Sequence, residues 1–226
     1  MSVLIKICGL KATAALDASL DAGADLVGFV FFAPSPRNIG YEAARTLGAR
    51  VAGRARKVAV SVDASDDTLE AAITALRPDF LQLHGRETPE RVAVIRSRFG
   101  LPVIKALPVT ERADLASLHL YAKVADRIMF DARAPRAATR PGGHGLAFDW
   151  RLLENLSLGV PFILSGGLNA GNVAQALATT RAPAVDVSSG VERAPGEKDP
   201  DKIREFIRAA RAFAPRPQAE RERAGP

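Results

Sequence analysis

A single cysteine, Cys8, stands in a chain of 226 residues. That scarcity excludes an intramolecular disulfide and a multi-cysteine metal site. The three histidines, His84, His119 and His144, are scattered without ligand spacing, so a protein without metal or cofactor is expected. No stretch approaches the roughly 20 apolar residues of a membrane-spanning helix. The first residues carry Lys6 inside a short apolar run and lack the ordered regions of a secretory signal. A cytoplasmic protein with no membrane contact follows as the expectation. Aromatic residues are only 6% of the chain, with Trp150 the one tryptophan, and the interleaved aromatic platforms that stack bases are missing. The net charge of +6 is spread over many segments mixed with acids, apart from the basic stretch Arg204 to Arg223. No nucleic-acid partner is expected; the basic excess reads as a solvated surface that attracts small anionic substrates. Protein partners are left unspecified.

What is present is an alternation. Eight apolar runs read as strands: Leu4 to Cys8, Asp25 to Phe32, Lys57 to Asp63, Asp79 to His84, Pro102 to Leu107, Arg127 to Asp131, Val160 to Ser165 and Ala184 to Ser188. Between them lie helical patterns at Lys11 to Ala22, Tyr41 to Val51, Asp66 to Leu76, Pro89 to Arg98, Glu111 to Ala122, a short one near Asp149 to Leu153, and Asn169 to Ala178; Asp199 to Ala214 closes the series. Near-continuous Val, Ile, Leu and Phe in the runs imply a parallel sheet covered by helices. Eight such units can close, and the length fits a single (β/α)8 TIM barrel over residues 1–214. The alternative, an open doubly wound sheet, lacks its Gly-rich first turn, since Cys8-Gly9-Leu10-Lys11 is no G-x-G-x-x-G. Residues 215–226, rich in Pro and charge, read as a disordered basic C-terminal tail.

In such a barrel the C-terminal strand ends share one face, where active sites lie. Standing there are Cys8, Phe31 with Arg37 in the following loop, Asp63, His84, Lys105, Asp131, Ser165-Gly166-Gly167 and Ser188-Ser189-Gly190. The last two clusters put glycines and small hydroxyls at neighbouring strand ends, the first just before a helix that Asn169 can cap. Backbone N–H groups and a helix start suit phosphate, although such glycines also turn tight corners. Asp131 fits a general acid in a half-buried setting, or equally a loop cap. Cys8 fits a base as thiolate, or an inert small apolar residue. Lys6, on the same strand face as Cys8, either tunes the thiol or balances an interior acid such as Asp186. Arg37, on a loop stiffened by Pro34 and Pro36, suits bidentate grip of a carboxylate, or is a solvated arginine. The glycine-rich loop 132–147 is a lid or a plain surface loop, and His84 reads as packed or supporting.

Lys6-Ile7-Cys8-Gly9-Leu10, Gly28-Phe29-Val30-Phe31 with Ser35-Pro36-Arg37, Leu81-Gln82-Leu83-His84-Gly85, Phe130-Asp131, Gly142-Gly143-His144-Gly145 with Phe148-Asp149-Trp150, Leu164-Ser165-Gly166-Gly167-Leu168-Asn169 and Val185-Asp186-Val187-Ser188-Ser189-Gly190-Val191-Glu192 run in one order. Together they resemble the phosphoribosylanthranilate isomerase family of tryptophan biosynthesis, from residue 3 to about 208. Two departures are small: Gly40 stands where a serine is more usual, and the strand ending at Asp63 is more polar at its end. The resemblance implies a cofactor-free Amadori rearrangement of a phosphorylated small molecule. It makes Asp131 the acid and Cys8 the base, sets Arg37 on the anthranilate carboxylate, and puts Gly166, Gly167, Ser188, Ser189 and the backbone near Asp186 around the phosphate. Neighbouring sugar-phosphate barrels offer rival readings, one with paired aspartates and one with an early lysine as acid. A non-catalytic phosphate sensor is a rival of another class, and has no use for Cys8 facing Asp131.

Overall fold

The computed structural model describes residues 2–135, 138, 140–154, 156 and 158–213; the expected tail 215–226 lies outside them. Eight parallel strands close into one barrel in sequence order: β1 (Leu4–Cys8), β2 (Leu26–Phe31), β3 (Arg56–Ser61), β4 (Phe80–Leu83), β5 (Val103–Val109), β6 (Arg127–Ala132), β7 (Phe162–Leu164) and β8 (Ala184–Val187). Closure is made where β1 pairs with β8, Lys6 lying opposite Asp186. The (β/α)8 expectation is met.

Alternation along each strand divides the core in two. Cys8, Leu26, Val30, Val58, Val60, Phe80, Ile104, Ala106, Met129, Ile163 and Ala184 fill the barrel interior. Their neighbours, among them Ile5, Ile7, Phe29, Leu81, Phe130 and Val185, face outward against the helices. Those helices are α1 (Thr13–Asp21), α2 (Tyr41–Val51), α3 (Asp66–Leu76), α4 (Pro89–Phe99), α5 (Leu118–Tyr121), α6 (Val173–Thr180) and α7 (Pro200–Ala212). Their boundaries follow local chemistry. The Ser65 and Thr88 side chains accept from the third residue on, Pro89 and Pro200 open helices, and Gly100 ends α4 in a left-handed conformation. On α7, Ile203, Phe206, Ile207 and Ala210 are buried at helical spacing.

Three local expectations change. The helix expected at Glu111 to Ala122 shrinks to a 3-10 turn, Arg112–Leu115, and the four residues of α5. The Asp114 carboxylate takes the backbone N–H groups of Thr110 and Glu111 and tightens the turn. Helix α6 begins at Val173 rather than Asn169, because Asn169 and Asn172 spend their side chains on a local turn, on the Gly171 and Asn169 N–H groups. Between β8 and α7 a hairpin appears, β9 (Glu192–Ala194) with β10 (Glu197–Lys198), turned by Pro195-Gly196.

Candidate functional site

One pocket opens at the C-terminal ends of the strands. Its lining includes Cys8, Arg37, Asp131, Gly166, Gly167, Asp186, Ser188 and Ser189, so the eight residues to which the family resemblance gives a role come together there.

On β1 the strand alternation turns Cys8 and Lys6 inward. Both crowd the backbone of Gly28 on β2, where a side-chain Cβ would stand 3.0 Å from Cys8 Sγ and 3.1 Å from Lys6 Nζ. Lys6 Nζ donates to Asp186 at 2.6 Å, and Ser165 Oγ donates to the other carboxylate oxygen at 3.0 Å. Lys6 thus balances the interior acid Asp186 and also lies close to the thiol. Burial opposes the Lys6 charge, yet Asp186 and Cys8 outweigh it and raise the ammonium to about 12. Burial pushes the Cys8 thiol up, and Lys6 draws it part of the way back.

Across the rim, Asp131 ends the inward face of β6. Its Oδ2 lies 3.1 Å from His84 Nε2, and its Oδ1 accepts the Ala132 N–H at 2.9 Å. The Gln82 amide nitrogen lies 3.3 Å from His84 Nδ1. With that nitrogen donating, the ring proton sits on Nε2 and points at Asp131. Gly142 covers the pair: a Cβ there would stand 2.6 Å from Asp131 Oδ2.

Arg37 is buried. Its Nε and Nη2 donate to the two oxygens of Glu192 at 2.8 Å each, and Nη2 also reaches the Gly143 carbonyl at 3.2 Å. Lys198 Nζ donates to Glu192 Oε1 at 2.6 Å, to the Ser188 carbonyl at 2.9 Å and to Ser188 Oγ at 3.1 Å. Ser188 Oγ donates in turn to the Cys8 carbonyl at 3.1 Å, tying the cluster to β1. Against burial, which pushes it up, Arg37 and Lys198 hold the Glu192 carboxyl below its usual range. Neither Glu192 nor Lys198 was assigned a role from the sequence. The available signal was the Pro195-Gly196 turn, which folds the two residues onto adjacent short strands.

Two glycines follow Ser165 at the end of β7. Gly166 and Gly167 have φ of +87° and +65°, a region that side chains avoid. Neighbouring backbone lies directly against them: a Cβ on Gly166 would stand 2.6 Å from the Ala132 nitrogen at the end of β6, and one on Gly167 2.6 Å from the Ala147 nitrogen. A 3-10 turn, Ser189–Val191, follows β8.

Four of the residues expected at strand ends are not in the pocket lining, among them Gly190, which packs against the Leu168 carbonyl. Phe31 packs in the outer layer. Lys105 faces outward because Ile104 and Ala106 face in, and it pairs with Glu87 at 2.7 Å. Asp63 accepts the Arg86 N–H, while Val62 lines the pocket instead. Among the described residues no cluster of three or more His, Cys, Asp or Glu could hold a metal ion, and no helix is long and apolar enough to cross a membrane.

The model of the N-(5'-phosphoribosyl)anthranilate (PRA) isomerase family matches residues 5–209. Over 212 residues the chain is 63% identical to the N-(5'-phosphoribosyl)anthranilate isomerase of Bradyrhizobium sp. (strain ORS 278), covering 94% of this chain and 97% of the relative. The crystal structure of phosphoribosyl anthranilate isomerase from Thermotoga maritima is 36% identical and superposes with a TM-score of 0.82 over 92% of this chain and 98% of that one. A phosphoribosyl anthranilate isomerase in complex with reduced 1-(o-carboxyphenylamino)-1-deoxyribulose 5-phosphate is 34% identical, with a TM-score of 0.78 and the same coverage.

Proposed function

We propose, from the premise that this chain belongs to the N-(5'-phosphoribosyl)anthranilate isomerase family, that Asp131 and Cys8 are the acid and base of the family's Amadori rearrangement. The substrate is N-(5-phosphoribosyl)anthranilate, a phosphorylated small molecule, and the product its 1-deoxyribulose isomer. The Asp131 carboxyl gives its proton to the furanose ring oxygen, and the C1′–O bond breaks to leave a Schiff base conjugated with the anthranilate ring. The Cys8 thiolate removes the C2′ proton, and the electrons of that bond neutralise the iminium as an enolamine. Tautomerisation to the ketone completes the isomerisation with no net gain or loss of protons. The burial that raises the thiol makes its anion a stronger base, and the Lys6 charge keeps that anion attainable.

Arg37 holds the anthranilate carboxylate through the nitrogen that Glu192 leaves free. The backbone of Gly166, Gly167, Ser188 and Ser189 takes the phosphate, an anchor remote from the reacting carbons that fixes the sugar between acid and base. The observation that carries this reading is that Cys8 on β1 and Asp131 on β6 line one pocket together with Arg37, Gly166, Gly167, Ser188 and Ser189. Lys6 does not suit the acid role of the early-lysine alternative, because its pairing with Asp186 holds it as a cation to about 12. The test follows the fluorescence of phosphoribosylanthranilate with indoleglycerol-phosphate synthase present to draw off the product. Loss of signal well above the spontaneous rate is expected, and the spontaneous rate alone would refute the reading.

A further inference from the structure

Arg37, Glu192 and Lys198 form one buried cluster of three charged side chains. Glu192 occupies Nε and Nη2 of Arg37, which fixes the plane of the guanidinium. By itself that pair is neutral. A ligand carboxylate brought to a neutral buried pair would leave one uncompensated negative charge in a low-dielectric site, which is strongly unfavourable. Lys198 changes the balance. Its ammonium sits 2.6 Å from Glu192 Oε1 and is about as buried as Glu192, so two cations share one anion and the cluster carries one net positive charge. One ligand carboxylate then brings it to zero.

The fold places Lys198 for this task with some care. Short strand β10 carries it back across Glu192 on β9. The turn between them packs on the arginine's own loop, where a Cβ on Gly196 would lie 2.3 Å from the Pro36 carbonyl. The two remaining Lys198 hydrogen bonds go to Ser188, so no second carboxylate absorbs its charge. Burial lowers the Lys198 ammonium to about 8, against the pull of Glu192. The neighbouring Arg37 charge adds to that lowering.

We infer that Lys198 is a positioning residue for carboxylate recognition: it offsets Glu192, so that Glu192 can lock Arg37 in one orientation without cancelling the charge Arg37 offers the ligand. The inference rests on the reading of Arg37 as the carboxylate clamp. It assigns substrate selectivity to a residue that need not touch the substrate.

The test uses two inhibitors and four proteins. One inhibitor is the reduced product analogue bearing the 2-carboxyphenylamino group, and the other is the same molecule with a plain phenylamino group. Both are titrated calorimetrically into wild type, Lys198→Met, Lys198→Met/Glu192→Gln and Arg37→Met. Binding of the phenylamino analogue also reports that each variant is folded. In Lys198→Met the carboxylate analogue should weaken at least tenfold while the phenylamino analogue stays within about twofold, with KM for substrate rising more than kcat falls. Adding Glu192→Gln restores the net positive charge and should recover a substantial part of that loss. A double variant as weak as Lys198→Met, or weaker, would overturn the inference, because a purely structural role for Lys198 makes the second substitution harmful. So would equal weakening of both analogues, or none. Arg37→Met separates the two levels. If it keeps the wild-type preference for the carboxylate, the clamp reading itself fails. If it abolishes that preference while Lys198→Met retains it, only the present inference fails.

Discussion

The two sides of the pocket rim handle charge in opposite ways. On the side of β1 and β8, Cys8 sits above the Lys6–Asp186 ion pair, with Lys198 close enough to favour the thiolate as well. On the side of β4 and β6, Asp131 meets the His84 ring and the Ala132 N–H, and among the described residues no lysine or arginine pairs with it. The difference matches the tasks proposed for them. A thiol buried in an apolar barrel needs nearby positive charge before it can ionise. A carboxyl that must hand over a proton cannot be locked in an ion pair with a cation. The base side is therefore organised by fixed charges, and the acid side by a hydrogen bond to a residue that can be oriented without being charged.

The comparison is broken first by removing its two protagonists. Cys8→Ala and Asp131→Asn should each lower kcat by about 10² to 10⁴, the span of general acid–base contributions, while affinity for the reduced product analogue is retained. Near-normal turnover in Cys8→Ala would leave the base side with charges but no base. Steady-state kinetics together with analogue titration decides the point.

Removing the charge rather than the thiol is the next largest change. Lys6→Met leaves Asp186 buried without its cation, and should cost about 3–5 kcal/mol of stability, measured by denaturant unfolding at neutral pH. The sign with pH follows from the raised ammonium. Lys6 contributes its full stabilisation below 10.5 and loses it as pH climbs towards about 12. Wild type should weaken across that window, and the variant should lack that component.

A third measurement reads the thiol alone. Because Cys8 is the only cysteine, the pH dependence of its alkylation by iodoacetamide reports its ionisation. Burial places the midpoint above the ordinary thiol value, so reactivity should still be climbing above pH 9, by about tenfold per pH unit until the midpoint is reached. Lys6→Met should move the midpoint higher still. An unmoved midpoint would mean that the positive charge on this side serves the fold and not the thiol.

How much of this was legible in the sequence follows from how far apart the cooperating residues lie. The barrel is written in local pattern: apolar runs such as Leu26–Phe31 are buried along their whole length, and no single long-range contact is needed to recognise them. Cys8 and Lys6 sharing a face is likewise a consequence of a two-residue repeat. The same repeat explains the misplaced residues. Phe31 ends β2, Lys105 lies inside β5 and Asp63 follows β3, and all three fall on the outward parity, so closeness to the rim does not bring them into the pocket. Glu192 and Lys198 were missed for a different reason. Their partner Arg37 lies 155 residues from Glu192, and the two-stranded hairpin that brings them together is too short and polar to show a periodicity. Only the Pro195-Gly196 turn announces it, and a turn says nothing about what its flanks will meet.

The acid side allows the finest test, through His84. This side chain touches Asp131 at 3.1 Å and is itself held through Gln82, so its proposed part is to fix where the Asp131 proton points. Losing one such hydrogen bond is worth about 1.5 kcal/mol, so His84→Ala should lower kcat roughly tenfold and leave KM almost unchanged, since neither the phosphate nor the carboxylate end depends on it. The size of the effect is what discriminates. A loss as large as that of Asp131→Asn would mean that His84 itself carries the proton, and the acid side would then be a dyad instead of a single oriented carboxyl. No loss at all would mean that the Ala132 N–H suffices to aim Asp131. The tenfold value alone keeps the two sides of the rim distinct, one built on charge and one on orientation.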